Sequence, residues 1–139
     1  MRHGYSKIKF KNGQDANQML LRKLATNFLM VGKLKTTLKK TKVLKTLLEK
    51  LIEKMKVKNE ANKNYLLKAL GDRKLVERSF SDFGASFVKI NGGYVKIIKT
   101  GVRNSDGCET ALIQWAYPII NKEVAIKDQS SVKKKINKI

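Results

Sequence analysis

Side chains that could serve as a catalytic base, a nucleophile or a metal ligand are few in this sequence. It has one histidine, His3, one cysteine, Cys108, and 11 carboxylates scattered along the chain. Catalysis needs a base or nucleophile with a second group to orient it, and a metal site needs several ligands close together. No glycine-rich phosphate loop is present either. We therefore expect no enzyme activity, no metal, no cofactor and no small-molecule substrate, and we expect Cys108 to be inert.

The side chains that remain available for chemistry are cationic. Lysine and arginine number 31 against 11 acidic residues, a formal net charge of +20. Self-repulsion of this size opposes a compact chain unless a polyanion neutralises it, so we expect a negatively charged partner. No apolar run approaches the roughly 18 residues of a membrane span, and a single cysteine cannot form an internal disulfide. These features favour a nucleic-acid partner in a reducing compartment and argue against a membrane partner.

Basic residues are concentrated at the start of the chain, in its second helical stretch and at its end. Residues 1 to 35 hold 8 basic and 1 acidic side chain, and residues 36 to 58 hold 8 and 2, whereas residues 59 to 84 hold 5 and 4. The apolar periodicity weakens after residue 117. The predicted organisation is a basic N-terminal arm over residues 1 to 14, one domain over residues 15 to 117 and a flexible basic extension over residues 118 to 139.

The first elements are predicted from helical spacing and capping residues. Apolar side chains recur every three to four residues between Asp15, a good N-cap, and Gly32, which predicts one helix over this range. Residues 33 to 36 are too few for a helix and are predicted to form a brief strand. A second, amphipathic helix then runs to about residue 58, and the hydroxyl of Thr36 or Thr37 can cap it.

The period changes in the second half of the chain. Two shorter helices are predicted over residues 59 to 70 and 72 to 83, and Gly84 is predicted to stop the second of them. Residues 94 to 99 and 110 to 117 are rich in aromatic and β-branched side chains, so they are predicted to pair as an antiparallel hairpin. The sequence therefore predicts an α+β fold, with about four helices packed on a small, mostly antiparallel sheet.

Alternation in the first hairpin strand predicts which side chains are buried. Val95 and Ile97 share the face expected to pack on the helices, whereas Tyr94, Lys96 and Ile98 share the opposite face. Lys96 is therefore expected to point outward, where it can contact a phosphate.

The glycine pair before this strand has two interpretations. Gly92 and Gly93 form either a turn or a place where the backbone approaches an RNA phosphate closely, because no Cβ intervenes. The Tyr94 ring next to them either stacks on a base or packs in the core. Both alternatives are open at the level of sequence.

A set of short motifs in a fixed order carries a resemblance to a known family. The motifs are Met1-Arg2-His3, Leu20-Leu21-Arg22-x-Leu24, Lys35-Thr36-Thr37, Gly92-Gly93-Tyr94 and Lys99-x-Gly101-x-Arg103-x-x-Asp106. Together they resemble the ribosomal protein L-seventeen family of the bacterial large subunit, and the match spans residues 1 to 117. The resemblance implies a protein that binds ribosomal RNA (rRNA) on the solvent side of the large subunit, near the peptide exit region.

The resemblance also implies which residues contact RNA. Carried over by position, they are Arg2, His3, Arg22, Lys35, Thr36, Thr37, Gly92, Gly93, Tyr94, Lys96 and Arg103. Lysines of the arm, of the second helix and of the hairpin complete the expected set, namely Lys7, Lys9, Lys11, Lys39, Lys42 and Lys99. A charged helix face such as that of the second helix is usually only solvated, but its excess of unpaired lysines favours phosphate contact.

The expected function is that of a structural constituent of the large ribosomal subunit, which binds and stabilises large-subunit rRNA during assembly and translation. The expected partners are large-subunit rRNA and neighbouring ribosomal proteins rather than a second copy, and the expected location is the cytoplasmic ribosome of a bacterium rather than of an organelle. The main alternative is a free-standing basic RNA- or DNA-binding protein, such as an RNA chaperone or nucleoid factor. Charge alone permits both, but only a ribosomal protein would co-sediment near-stoichiometrically with large subunits in moderately high salt.

Overall fold

Helices fill the first two thirds of the described chain and a hairpin ends it. The computed structural model of the protein describes residues 8, 10, 11 and 13 to 119. Within these residues, no helix combines the length and the apolar character needed to cross a membrane. In chain order the elements are α1 (Gln14–Val31), β1 (Lys33–Thr37), α2 (Leu38–Met55), α3 (Glu60–Leu70), α4 (Arg73–Arg78), a π-helical segment (Ser79–Gly84), α5 (Ala85–Phe87), β2 (Val95–Val102) and β3 (Glu109–Trp115). The predicted α+β class is confirmed.

The ends of the first two helices show how the local sequence sets their limits. The N-cap of α1 is Gly13 and not Asp15, which lies in the first turn instead, where its negative charge suits the positive end of the helix dipole. Gly32 ends α1 as predicted, because it adopts the left-handed conformation with φ +82°. Thr37 occupies the N-cap position of α2, but its side chain makes no capping hydrogen bond.

Gly84 does not stop a helix, so that prediction was wrong. The helical path continues through it, with φ −55° and ψ −51°, into α5. A Cβ at this position would overlap the carbonyl oxygen of Met55, the last residue of α2. Glycine is therefore required here because the π-helical segment packs closely on the end of α2.

The sheet has the strand order β1-β3-β2, and both strand pairs are antiparallel. The predicted hairpin of β2 and β3 is confirmed, and the brief strand predicted after α1 lies on the other side of β3. A bulge at Thr100 shifts the register of β2 between Lys99 and Gly101, and Gly101 takes φ +100°. Glycine permits this conformation without a steric penalty, which lets the strand bend towards the hairpin loop.

Helix α2 forms the centre of the hydrophobic core, and most of its apolar side chains are fully buried. Trp115, at the end of β3, packs among three phenylalanine rings. The ring centres of Phe28, Phe83 and Phe87 lie 4.6, 5.1 and 5.4 Å from that of Trp115. This aromatic cluster joins α1, the π-helical segment and α5 to the inner face of the sheet, so these elements share one core.

The predicted alternation of β2 is confirmed, with one exception. Val95 is buried and Ile97 packs against the core, whereas Lys96 and Ile98 are exposed on the opposite face. Tyr94 was expected on the side of Lys96, but it is 1% exposed. The reason is that β2 begins at Val95, so the alternation of the strand does not extend to Tyr94.

The two faces of β2 can be separated experimentally by Ile97→Ala and Lys96→Ala. We expect Ile97→Ala to lower the free energy of unfolding by about 2 kcal/mol, because it removes a packed but only partly buried side chain. Lys96→Ala should change it by less than about 0.5 kcal/mol, since this side chain is exposed. Urea unfolding of both variants checks the register, and a larger loss for Lys96→Ala would show that the assigned faces are exchanged.

Candidate nucleic-acid interface

Among the described residues, the helices pack on one side of the sheet and the other side faces solvent. We call the solvent side the outer face. Its side chains form two rows across the three strands, because residues opposite one another in register point the same way. The first row is Lys33, Gln114 and Lys96, and the second row is Lys35, Leu112 and Ile98. Leu34, Ile97 and Ile113, which lie between these rows in sequence, pack in the core on the other side.

The outer face is cationic without compensation. Lys33, Lys35 and Lys96 are all exposed, and the other three residues of the two rows are uncharged. At the bulged end of the sheet the face continues into a hollow of about 320 Å³, whose lining includes Lys35, Arg103 and three threonines. None of the residues that line this hollow is acidic. A surface with this charge pattern attracts phosphates and repels other cations.

Arg103 is positioned by the hairpin loop. Its backbone N–H donates to the carbonyl oxygen of Cys108 at 2.9 Å, and its carbonyl oxygen accepts from the N–H of Gly107 at 2.9 Å. One terminal guanidinium nitrogen lies 3.5 Å from a carboxylate oxygen of Asp106. Both side chains are about half exposed, and a guanidinium has five donors, so it can bind a phosphate while Asp106 holds it.

A second basic area lies at the start of α2. Lys39 and Lys42 are exposed and line a hollow of about 430 Å³ together with Thr37 and Glu109. The first turn of α2 has no acidic residue. The positive end of the helix dipole therefore adds to the charge of the lysines, although Glu109 offsets part of it.

Arg22, which was expected to contact RNA, connects two helices in the structure. Its guanidinium donates from one terminal nitrogen to the carbonyl oxygen of Lys68 at 2.7 Å and from Nε to that of Ala69 at 3.2 Å. These carbonyls lie at the C-terminal end of α3, where backbone oxygens lack partners within the helix. The structure therefore gives Arg22 a role in fixing α1 to α3.

The glycine pair before β2 forms a turn held by α2. Gly92 and Gly93 have φ +124° and +67°, conformations that favour glycine, and the Gly93 N–H donates to a carboxylate oxygen of Glu49 at 3.2 Å. Of the two interpretations, the structure supports the turn. A phosphate approaching the Gly93 N–H would have to displace the Glu49 carboxylate, which carries the same sign of charge.

The Tyr94 ring packs in the core, which is the second of its two interpretations. Its hydroxyl donates to a carboxylate oxygen of Glu53 at 2.5 Å, and its ring contacts Phe87 edge-on with ring centres 5.3 Å apart. Lys56 completes this group, since its Nζ lies 3.0 Å from Glu53 and 4.9 Å from the centre of the Tyr94 ring.

The contacts in this group shift two pKa values. The hydrogen bond from Tyr94, and to a smaller extent that from Lys56, lowers the pKa of Glu53. Burial raises the pKa of Tyr94, as does its hydrogen bond with Glu53.

The remaining expected residues are distributed as follows. Arg2, His3, Lys7 and Lys9 lie outside the described residues. Lys11 is exposed, and Thr36 is partly buried. Lys99 is exposed, but by strand alternation it lies on the same side of β2 as Val95 and Ile97, so it is not part of the outer face. Lys33 and Gln114 were not among the expected residues, although the alternation Lys33-Leu34-Lys35 indicates that Lys33 and Lys35 share a face.

Comparisons with known proteins identify the family of the chain. The family model described as "Ribosomal protein L17" matches residues 20–116. Among curated relatives, "Large ribosomal subunit protein bL17" of Coprothermobacter proteolyticus is 35% identical over 116 residues, which are 84% of this chain and 99% of the relative. The protein of the same name from Fervidobacterium nodosum is 36% identical, with 82% of this chain and 98% of the relative covered. The one from Moorella thermoacetica is 37% identical, with 70% and 87% covered. The chain therefore belongs to the ribosomal protein L17 family.

Proposed function

We propose that the chain is a structural constituent of the large ribosomal subunit, where it binds and stabilises large-subunit rRNA during assembly and translation. The curated relatives carry the name of a large-subunit protein. The observation that carries the RNA-binding role is the outer face, whose two rows contain three exposed lysines and no acidic residue. The role is structural rather than catalytic.

The lysines of the outer face act as phosphate ligands. Each ammonium that neutralises a phosphate releases condensed counterions, and this release is the main source of sequence-independent affinity. Lys33, Lys35 and Lys96 can do so without loss of a structural contact, because they point away from the core. Arg103 and the lysines at the start of α2, Lys39 and Lys42, extend the proposed RNA-binding surface.

The proposed organisation places the described domain between two basic segments. The arm over residues 1 to 14 and the extension over residues 118 to 139 would add phosphate contacts to those of the domain over residues 15 to 117. We propose neighbouring ribosomal proteins as further partners, with the chain present as one copy on the cytoplasmic ribosome of a bacterium. No observation favours the free-standing RNA- or DNA-binding alternative.

Incorporation into large subunits tests the proposal. We expect the variant Lys33→Ala, Lys35→Ala, Lys96→Ala to weaken binding to large-subunit rRNA by roughly tenfold or more, because it removes three phosphate ligands. Its thermal unfolding should remain close to that of the wild type, since all three side chains are exposed. In the measurement, tagged variant and untagged wild-type chain compete for incorporation into purified subunits. The readout is the ratio of variant to wild-type chain on the subunit.

A control variant separates position from net charge. Lys58→Ala, Lys68→Ala, Lys74→Ala removes the same charge from exposed positions in the helical region. We expect it to compete nearly as well as the wild type. If the outer-face variant and the control compete equally well, the outer face is not the surface that binds rRNA.

A further inference from the structure

We propose that the outer face binds the backbones of base-paired RNA and not the unstacked bases of a single strand. This inference rests on the proposed function and specifies which structural class of RNA the outer face binds. Its basis is the combination of residue types and their arrangement in the two rows.

The outer face lacks the side chains that bind single-stranded bases. Sheets that bind single strands do so by stacking bases on exposed aromatic rings. In the two rows, the positions that are not lysine are Gln114, Leu112 and Ile98. Of the aromatic residues next to the sheet, Tyr94 and Trp115 pack against Phe87 in the core. Tyr117, which lies beyond the end of β3, is 42% exposed but belongs to neither row. Within the two rows, an unstacked base would therefore find no aromatic ring on which to stack.

The lysines lie on both edge strands of the sheet, which we treat as two lines, one with two lysines and the other with one. Lys33 and Lys35 lie on β1, whereas Lys96 lies on β2, and the central strand β3 separates them. Since neighbouring strands are about 4.8 Å apart, the two lines are roughly 10 Å apart at the backbone. Between them, Gln114 and Leu112 form a neutral strip.

Two cationic lines beside a neutral strip match two phosphate backbones on either side of a groove. Base-paired RNA provides this pattern, because its deep, narrow major groove brings its two backbones towards each other. A single strand provides only one line of phosphates. The hollow that contains Arg103 adjoins Lys35, so it can extend the line of β1 along one backbone.

The test compares an RNA duplex with one unstructured strand of it, using the full-length chain and fluorescence anisotropy. A duplex has a higher charge density than a single strand, and this alone favours its binding to a basic protein. The informative quantity is therefore the change, from wild type to variant, in the ratio of duplex affinity to single-strand affinity. The variant Lys33→Ala, Lys96→Ala removes one cation from each line. We expect it to weaken duplex binding about tenfold and single-strand binding by less than about threefold. The control Lys68→Ala, Lys74→Ala, with the same loss of charge, should leave the ratio unchanged.

The possible outcomes separate this inference from the proposed function. If the outer-face variant weakens both RNAs equally, or weakens the single strand more, the preference for base-paired RNA is wrong while RNA binding by the outer face stands. If the variant weakens neither RNA relative to the control, the outer face does not bind RNA, and both this inference and the assignment of the outer face as the rRNA-binding surface are wrong. Selective loss of duplex binding supports both.

Discussion

Raising the salt concentration from about 50 to about 200 mM is expected to weaken binding of the chain to large-subunit rRNA roughly thousandfold. The physical reason is that a chain of net charge +20 gains most of its affinity from the release of counterions. If about 6 to 10 phosphates are neutralised, the logarithm of the binding constant should fall with the logarithm of salt concentration with a slope between about −5 and −9. Filter binding at five or six salt concentrations gives this slope.

The variants of the outer face refine this measurement. Each lysine that contacts a phosphate should reduce the steepness of the slope by about 1. Loss of Lys33, Lys35 and Lys96 together should therefore make it shallower by about 3, whereas the matched variant at Lys58, Lys68 and Lys74 should leave it unchanged. A slope close to zero for the wild type would contradict an interface dominated by phosphate contacts.

Much of the fold could be predicted from periodicity, because burial imposes a different repeat on helices and strands. The apolar stripe of α2 and the alternation of Val95, Lys96 and Ile97 are local patterns, and the structure confirms both. The pairing of β1 with β3 could not be predicted in the same way. The two strands are far apart in sequence, and no short turn fixes which edge of the hairpin β1 joins.

Several residues expected to contact RNA have intramolecular partners that the sequence could not show, for a related reason. Arg22, Gly93 and Tyr94 were carried over from motifs, but their partners lie 46, 44 and 41 residues away in sequence. A sequence pattern shows that a residue is cationic, small or aromatic. It does not show whether a distant carbonyl or carboxylate already occupies its hydrogen-bonding groups.

With the proposed interface, the two sides of the sheet have different roles, one in stability and the other in RNA binding. Its inner side carries Val95, Ile97 and Ile113 in the core, and its outer side carries the lysines. Substitutions on the outer side should therefore change affinity with little effect on folding, and substitutions on the inner side should do the reverse. Strand alternation is the physical basis, because it directs adjacent side chains to opposite faces.

The requirement for glycine at position 84 has two possible explanations, one from the local backbone and one from tertiary packing. As a helix stop, it would be required for its backbone conformation, yet its φ of −55° and ψ of −51° are ordinary helical values. If only the backbone conformation mattered, replacing Gly84 by alanine would stabilise the helix by about 1 kcal/mol, because alanine has the higher helix propensity. As a packing residue, Gly84 is required because a Cβ would overlap the carbonyl oxygen of Met55.

Gly84→Ala is accordingly expected to lower the free energy of unfolding by about 3 kcal/mol, because backbone atoms at the end of α2 must move to admit the methyl group. Gly13→Ala is the matched control, since a Cβ at the N-cap of α1 would have no neighbour within 4 Å. It should cost about 0.5 to 1 kcal/mol, because alanine is a poorer N-cap than glycine. Urea unfolding of both variants decides between the explanations. If Gly84→Ala is as stable as the wild type or more stable, the close approach of the π-helical segment to α2 is wrong, and Gly84 serves only the local backbone.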